Sequence, residues 1–392
     1  MTESLIVWFY HQVLQLTLMR ILVPACLAIV VFFWWEAGGR SNASSPRESI
    51  RIAIIKNGTG VTIGGDGLLA TRENGAAVEF VNPVTIKLGK DGVVANGVTY
   101  RQLVFSAPAA LYVNGKPYRG VAEITIADKG LLVVNELALE DYLVGLINCE
   151  ISSAWPMDAI KAQAVIARTY ALNRKENRKN AFYHLESTVI DQVYDGCLIE
   201  DSRARRGVSE TAGEVLTYNG SIIQAFYHSA CGGKTEASEN VWGADLPYLK
   251  GVDCQYCLTS TSSAWVQKLA LRDIEEKLRV AGYNAVGVTD VKAGSRNSRG
   301  RLKNVRIVSS RGELSVTGEQ FRKAVGYGII KSTNFSVSVS RGEASFSGFG
   351  NGHGVGLCQW GSKQRAQDGF NYKEILSYYY PGTAIKQFSD IR

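Results

Sequence analysis

The chain has 392 residues, of which 46% are hydrophobic and 20% are charged, and its formal net charge at pH 7 is +7. This composition indicates a folded protein with a full core, long enough for about two domains, and excludes a disordered tail or a small disulfide-stabilised scaffold. The positive charge is modest and spread along the chain, and no nucleic-acid recognition motif accompanies it, so we expect no nucleic-acid partner.

The first predicted element is a hydrophobic segment near the N-terminus. Residues 21–35, ILVPACLAIVVFFWW, are fifteen uninterrupted apolar or small residues. Such a run is typical of a signal-peptide core or a short membrane anchor. Its terminal Trp-Trp pair suits a membrane interface and no Ala-x-Ala cleavage site follows, so we favour an anchor with an exported body over a cleaved signal. We assign residues 1–39 to this signal or anchor and residues 40–49 to a linker.

The region after the linker has the pattern of antiparallel β structure. Residues 50–126 contain short strand-like runs such as RIAIIKNG, AAVEFVN and VAEITIAD, separated by Gly-Asp, Asn-Gly or Gly-Lys turns. Residues 137–175 change to the periodicity of two consecutive helices. Strand-like VLTYNG and SIIQAFYHSACGG follow.

The C-terminal half mixes both patterns. We predict a helix over residues 264–280, three or four strands between residues 286 and 339, and a short helix at 318–325 among those strands. The segment GHGVGLCQWGSKQRAQDGFNYKEILSYYYPG predicts a glycine-rich loop followed by two helices.

These elements together predict an α+β fold: an antiparallel β-rich core with a helix–turn–helix segment and a few further helices, after one N-terminal hydrophobic segment. The predicted parts are a β-rich region at residues 50–126 and a core at residues 127–392 that contains a β/α insertion at about 264–345.

One carboxylate continues an otherwise apolar helical stripe. Leu139, Leu143 and Leu146 recur at spacings of four and three, and Glu150 takes the next +4 position just before Ser-Ser-Ala-Trp-Pro. A glutamate on a buried stripe must be paired, lie at an accessible edge, or have a raised pKa. A raised pKa is what a general acid needs, whereas a solvated residue in the last helical turn is the simpler alternative.

Two cations lie on the helix that follows this break. Pro156 suits its first turn, and Lys161 and Arg168 are seven residues apart, so their side chains project from one face. We expect these cations and Glu150 to line a common cleft.

Cysteines supply a second candidate site. Four of them are compatible with two disulfides, with a structural zinc site, or with free or mixed thiols. They are Cys231, Cys254, Cys257 and Cys358. A Cys–His protease that pairs Cys149 or Cys231 with His353 is a weaker interpretation.

His353 lies in GNGHGVGL, where glycines bring the backbone close to whatever the loop contacts. We expect either a functional histidine or one in a structural hydrogen bond, and Gln359 follows at the start of a helix. Candidates for sugar stacking are the aromatic residues Trp155, Tyr170, Trp242, Tyr248 and Trp360. P-loop, Rossmann and HExxH signatures are missing, which argues against nucleotide and simple zincin chemistry.

Five ordered motifs now point to a family. They are LEDYLVGLINCEISSAWPMDAIKAQAVIARTYAL (139–172), DQVYDG (191–196), FYHSACGGKTE (226–236), WGADLPYLKGVD (242–253) and GHGVGLCQWGS (352–362). Together they resemble the stage II sporulation protein D family, whose domain is shared with amidase-enhancer proteins of bacterial cell-wall turnover.

The resemblance implies a peptidoglycan lytic transglycosylase that acts on glycan strands without stem peptides and leaves 1,6-anhydro-muramate ends. In it Glu150 matches the catalytic glutamate, while Lys161 and Arg168 match cationic positions. The expected substrate-binding set is Lys161, Arg168, Trp155, Tyr170, His228, Lys234, His353 and Gln359. The expected partners are peptidoglycan strands, a cell-wall amidase, and the membrane through the N-terminal segment. A glycan-binding module that activates an amidase without cutting the strand is the alternative.

The chain departs from the resemblance at one metal site. Some members carry zinc through a cysteine and a His-Cys pair just before Gln-Val-Tyr, but this chain has Leu185, Ile190 and Asp191 there. We therefore expect that site to be absent and no cofactor to be needed. Any structural zinc would use the four cysteines named above.

Overall fold

The computed structural model describes residues 48–258 and 260–391. The predicted anchor at residues 1–39 lies outside the described residues, as does almost all of the predicted linker. The described part combines antiparallel sheets with eight α-helices, which confirms the predicted α+β class. Among its helices, none has the length and hydrophobicity required to span a bilayer.

The elements occur in three runs along the chain. The first run is β1 (Ser49–Gly58), β2 (Gly60–Gly64), β3 (Leu69–Arg72), β4 (Ala77–Val78), β5 (Val84–Leu88), β6 (Val93–Ala95), β7 (Val98–Tyr100), β8 (Gln102–Ser106), β9 (Leu111–Val113), β10 (Lys116–Tyr118), β11 (Val121–Ala127) and β12 (Gly130–Ala138). The second is α1 (Leu139–Glu150), α2 (Met157–Asn177), β13 (Leu185–Glu186), α3 (Ser202–Ser209), β14 (Glu214–Tyr218), β15 (Ser221–Ile222), β16 (Tyr227–His228), β17 (Gly233–Lys234), α4 (Ser238–Trp242) and β18 (Asp253–Cys254). The third is β19 (Ala264–Ala270), α5 (Leu271–Val280), β20 (Val288–Ala293), β21 (Asn304–Ser309), β22 (Gly312–Thr317), α6 (Gly318–Val325), β23 (Phe335–Ser340), β24 (Glu343–Phe349), β25 (Leu357–Cys358), α7 (Gln359–Gln367), α8 (Tyr372–Tyr379), β26 (Ala384–Gln387) and a 3₁₀ turn (Phe388–Asp390).

The first run, joined by β13 from the second, forms two sheets around one hydrophobic core. Their strand orders are β13-β1-β12-β11-β8-β3-β4 and β10-β9-β2-β5-β6-β7. The predicted Asn-Gly hairpin turns are present: Asn96-Gly97 joins β6 to β7 and Asn114-Gly115 joins β9 to β10, all four with positive φ. Positive φ at both central residues is what a two-residue hairpin turn requires.

The helical pair continues directly from the central strand β12. Leu139, Leu143 and Leu146 of α1 are buried against the core, as their spacing predicts. The helix ends at Glu150, and Ile151 has extended φ and ψ values of −140° and 162°. Glu150 is therefore the last residue of α1, between a buried stripe and the turn that leads to α2.

The second core is built by α2, α7, α8 and the short strands around them. In it β16 pairs in parallel with β25, so that Tyr227 lies opposite Leu357 and His228 opposite Cys358. This pairing brings two sequence-distant segments side by side and positions the residues that α7 carries.

The third core belongs to the segment between β19 and β24. Here β19-β24-β23 and β20-β21-β22 form two three-stranded sheets packed with α5 and α6. The helix predicted over 264–280 is wrong in its first half, because residues 264–270 form β19 and pair antiparallel with β24 along their whole length. Helix α5 begins only at Leu271. The predicted short helix at 318–325 is confirmed.

Candidate active site around Glu150

The Glu150 carboxyl group accepts hydrogen bonds from three different parts of the chain. The backbone N–H of Val193 donates to Oε1 at 3.2 Å, and Gln359 Nε2 donates to Oε2 at 3.4 Å. The hydroxyl of Tyr227 is the third donor. Each donor is neutral, so the carboxylate is oriented without a countercharge from these residues.

The surroundings raise the pKa of Glu150 above its ordinary value. Burial is the largest cause, and the hydrogen bonds from Val193, Tyr227 and Gln359 oppose it in part. The position adds a second cause, since the C-terminal end of a helix carries a partial negative charge that disfavours a carboxylate. The direction of this shift is the one that a general acid needs, and Glu150 itself is half-buried at the end of the apolar stripe.

A buried polar network supports these donors. Gln192 links Tyr142 and Tyr227: the Tyr142 hydroxyl donates to Gln192 Oε1 at 3.0 Å, and Gln192 Nε2 donates to the Tyr227 hydroxyl at 3.2 Å. On the other side, Gln359 Nε2 also lies 3.4 Å from Gln163 Oε1. Side chains held at both ends lose little entropy when they bind, so the carboxyl group is preorganised.

Sequence reasoning missed Tyr227, Gln192 and Val193 as members of the site. Tyr227 lies in FYHSACGGKTE, and the other two lie in DQVYDG, so both motifs were identified without their roles. Val193 acts through its backbone, which leaves no trace in residue type. The motifs were the only signal that the sequence offered for these contacts.

The approach of β16 to β25 depends on a glycine. At Gly356 φ is +72°, and a Cβ there would lie 1.9 Å from the carbonyl oxygen of Phe226. Any side chain would therefore push apart the strand that carries Tyr227 and the strand that leads into Gln359.

Two tryptophans and a lysine lie beside the Gln359 end of this site. The rings of Trp155 and Trp360 are 5.1 Å apart and inclined at 55°. Lys363 Nζ lies 5.4 Å from the first ring centroid and 4.6 Å from the second. All three side chains are half-buried, so their open faces suit a sugar ring, with a cation at its edge.

The two cations predicted beside Glu150 have other partners. Lys161 Nζ lies 2.6 Å from Glu210, and Arg168 makes hydrogen bonds of 2.8 and 2.7 Å to the two carboxyl oxygens of Glu140. Among the described residues neither cation contacts Glu150. The prediction that both cations line a cleft with Glu150 is therefore wrong. Helical spacing places Lys161 and Arg168 on one face, but the carboxylates of neighbouring elements determine which partners they bind.

Tyr170 is buried within the fold. Its hydroxyl donates to Asp191 Oδ1 at 2.9 Å and accepts from Arg174 Nε at 3.0 Å. Its ring packs on Phe226 at a centroid distance of 6.0 Å. Most of this ring is therefore used in packing, and its role in binding substrate stays a prediction.

The two histidines pack against each other, with His228 buried and His353 half-buried. Their ring centroids are 5.6 Å apart, and burial lowers the pKa of His228 to about 3 and that of His353 well below its ordinary value. His353 Nδ1 accepts the backbone N–H of Val355 at 3.1 Å, and Trp242 covers its ring. Both histidines are neutral at pH 7, and Lys234 lies exposed on β17.

Three aspartates of the motifs at 139–172 and 191–196 could supply a second carboxylate, and each of them is held by another partner. Asp191 is fully buried and pairs with Arg174 and Arg178, at 2.9 and 3.1 Å. Asp195 pairs with Lys116 at 2.5 Å, and Asp158 accepts the backbone N–H of Tyr372. Among the described residues none of them contacts Glu150, so this site has one carboxyl group at its centre.

The four candidate cysteines converge on one buried cluster. All of their Sγ atoms lie within 4.8 Å of one another. The described cysteines are free thiols, so of the three alternatives the two disulfides are not formed in this structure. A protease pair is not formed either: Cys231 belongs to the cluster, Cys149 donates to the carbonyl of Gly145, and neither contacts His353.

Sequence comparisons relate this chain to known proteins. A family profile described as "Stage II sporulation protein" (SpoIID) matches residues 127–218. An uncharacterized protein of Brachyspira hyodysenteriae is 32% identical over 325 residues, which cover 83% of this chain and 86% of that protein. The amidase enhancer of Bacillus subtilis is 31% identical over 63% of this chain, which spans only 40% of the enhancer. The stage II sporulation protein D of Bacillus subtilis is 27% identical over 65% of this chain and 76% of its own length.

Proposed function

This chain belongs to the stage II sporulation protein D family, and on that premise we propose that it is a peptidoglycan lytic transglycosylase. Its substrate is a glycan strand without stem peptides, and the bond cleaved joins N-acetylmuramate to N-acetylglucosamine. The observation that carries the proposal is a single carboxyl group, Glu150, with a raised pKa and three neutral donors fixing its orientation.

Glu150 serves as acid and then as base. In its protonated form it donates to the glycosidic oxygen, and the bond between that oxygen and C1 of muramate breaks. The carboxylate that remains takes the proton from the C6 hydroxyl of the same muramate, whose oxygen bonds to C1. The product is a 1,6-anhydro ring, Glu150 ends protonated again, and no water is consumed.

This reaction fits a centre with one carboxyl group. A glycoside hydrolase generally uses a second carboxylate, either as nucleophile or to activate water. Here Asp158, Asp191 and Asp195 are held by other partners. Because the internal C6 hydroxyl replaces water, the transglycosylase needs none of them.

The aromatic pair supplies a place for the strand. Sugar rings stack on the faces of Trp155 and Trp360, and Lys363 attracts the lactate carboxylate of muramate. Lys363 takes the role expected of Lys161 and Arg168, since those cations are neutralised by Glu210 and Glu140.

The substrate also defines the setting of the reaction. Peptidoglycan lies outside the cytoplasmic membrane, so the proposal includes export of the body, which the hydrophobic segment at residues 21–35 would direct as an anchor or a signal. Strands without stem peptides are products of an amidase, which makes a cell-wall amidase the expected partner.

A second function is favoured by the similarity to an amidase enhancer. In it the same aromatic pair holds a glycan strand and delivers it to an amidase, and Glu150 is only part of the binding surface. Binding is common to both functions, whereas new anhydro ends belong to the first alone.

The experiment is mass spectrometry of stem-peptide-free strands incubated with the full chain, with Glu150→Gln, and with the matched control Glu313→Gln. Glu313 is an exposed glutamate of β22, far in sequence from the site. We expect fragments one water lighter than hydrolysis products from the parent and the control, and none from Glu150→Gln. Anhydro ends made equally by Glu150→Gln would exclude the mechanism. Intact strands that co-sediment with all three proteins would establish the binding function instead.

A further inference from the structure

We propose that Cys231, Cys254, Cys257 and Cys358 bind one zinc ion, which ties together the segments that hold the Glu150 carboxyl group. The proposal concerns the architecture of the site, and its first test does not depend on glycan cleavage.

The geometry of the four sulfurs suits a single metal ion. A tetrahedral zinc–thiolate site has Zn–S bonds of about 2.3 Å, which places its sulfurs about 3.8 Å apart. In this structure all four Sγ atoms lie within 4.8 Å of one another, and those of Cys231 and Cys257 are 3.3 Å apart. An arrangement of two disulfides would instead divide the sulfurs into two bonded pairs. A mutual cluster of four is the pattern of a shared ligand.

The chemistry of the cluster also requires a cation. Thiols are weak donors and weak acceptors, so four of them gain little by meeting in a buried place. Four thiolates would repel one another unless a metal ion compensated their charge. Zinc is the metal that this tetrahedral, all-sulfur set favours. An iron–sulfur cluster inserts sulfide and several iron atoms between the cysteines and would hold them farther apart.

The surrounding groups orient the sulfur of Cys358. The backbone N–H groups of Cys231 and Gly361 donate to it at 3.3 and 3.4 Å. A Cβ at Gly361 would lie 2.7 Å from the sulfur of Cys254 and 2.2 Å from the hydroxyl of Tyr379, so only glycine lets this N–H approach. Donors of this kind support metal ligands from outside the coordination sphere.

The ligands come from three segments that are far apart in the sequence. Cys231 follows strand β16, Cys254 and Cys257 form a Cys-x-x-Cys turn at the end of β18, and Cys358 ends β25 as the N-cap of α7. A metal ion bonded to all of them closes long loops, which stabilises a fold by restricting its unfolded chain.

Two of these segments carry donors to Glu150. Tyr227 lies on β16, and Gln359 directly follows Cys358. The metal ion therefore acts as a positioning element: it holds β16 and the start of α7 in register, and these present a hydroxyl and an amide to the carboxyl group. It touches neither Glu150 nor the substrate.

The first test is the metal content of the purified full chain, kept reduced and measured by mass spectrometry for all transition metals. Parent protein and the matched control Cys197→Ser are expected to hold one zinc per chain, because Cys197 is half-buried and lies outside the cluster. Cys254→Ser is expected to lose most of it. Parent protein with all seven of its thiols titratable and no zinc, with iron as the bound metal, or with zinc content unchanged by Cys254→Ser would overturn the proposal.

A second measurement on the parent covers the case in which Cys254→Ser does not fold. A mercurial reagent titrates the thiols while a coloured chelator reports the zinc released, and the expected result is one zinc freed as four protected thiols react. Zinc released with no thiol protected would overturn the assignment.

The positioning role has its own readout. Hydrogen exchange before and after chelation is expected to rise in residues 227–231 and 357–361, while the sheet β20-β21-β22 with its separate core serves as the internal control. Equal exchange in both states would refute the positioning role. Cleavage is not measured, so a failed transglycosylase assay leaves these results standing.

Discussion

The buried guanidinium of Arg168 on helix α2 pairs with Glu140 and not with Glu150, and this pairing can be tested through protein stability. Its side chain is 0% exposed and binds both carboxyl oxygens of Glu140, whose side chain is 41% exposed. It also donates to the carbonyl oxygens of Glu214 and Val208, at 3.1 and 3.3 Å. Glu140→Ala removes the only countercharge that contacts it among the described residues and leaves a buried cation behind.

The cost of this change follows from the burial of the partner that remains. Removing one member of a buried ion pair costs about 3–5 kcal/mol. We expect a loss of about 3 kcal/mol in the free energy of unfolding, at the low end of that range, because the exposed side of Glu140 admits water to the gap. Arg168→Met is expected to cost less, since water solvates the glutamate that it leaves unpaired.

Denaturant unfolding monitored by tryptophan fluorescence measures both changes. The matched control is Glu210→Ala, which removes the shared partner of Lys161, on the same helix as Arg168, and of Arg206. Glu210 is exposed and neither cation that it leaves is fully buried, so the control is expected to shift the unfolding midpoint far less than Glu140→Ala. If Glu140→Ala and Glu210→Ala shift the midpoint equally, or if neither does, Arg168 is not the structural cation that the contacts indicate.

Three further predictions concern the carboxyl group and its frame. Tyr227→Phe removes a hydrogen-bond donor to the Glu150 carboxylate, a type of bond worth about 1.5–3 kcal/mol, so the pKa of Glu150 rises further. We therefore expect the alkaline limb of the pH–rate profile for cleavage to move to higher pH. An unchanged alkaline limb would contradict the role of Tyr227 as a donor to Glu150. Since the pKa of Glu150 is raised in the folded state, its contribution to stability is full below the unfolded value near 4.5 and is lost as pH rises through the folded pKa. Glu150→Gln should therefore raise the melting temperature at pH 7 and lose this advantage in acid, and a gain that is independent of pH would argue against the linkage. Gly356→Ala is expected to prevent folding or lower the melting temperature strongly, because its Cβ would lie 1.9 Å from a carbonyl oxygen. The control Gly369→Ala also has a positive φ but open space around it, and should cost only about 1 kcal/mol. Equal losses of stability in the two variants would show that backbone strain, and not the close contact, is the cause.

Much of the fold was predictable because its signals are local. The hairpins before Ala127 follow from alternating residues and Asn-Gly turns, and the helical pair from apolar spacing. Residues 264–270 were predicted as helix because their apolar residues run directly into helix α5. They form a strand because they pair with β24, which lies about 75 residues further along the chain. Only that pairing decides between strand and helix there.

The sequence by itself determined that Glu150 is a charged residue on an otherwise apolar helix face, since this pattern is visible within about three turns of one helix. It also identified the four cysteines, although not whether they pair as disulfides or meet at one point. Tertiary structure alone decided that Val193, Tyr227 and Gln359 bind the carboxyl group and that Lys161 and Arg168 do not. The physical reason is that periodicity places a side chain on a face, whereas its partner there depends on which distant segments the packing of the cores brings together.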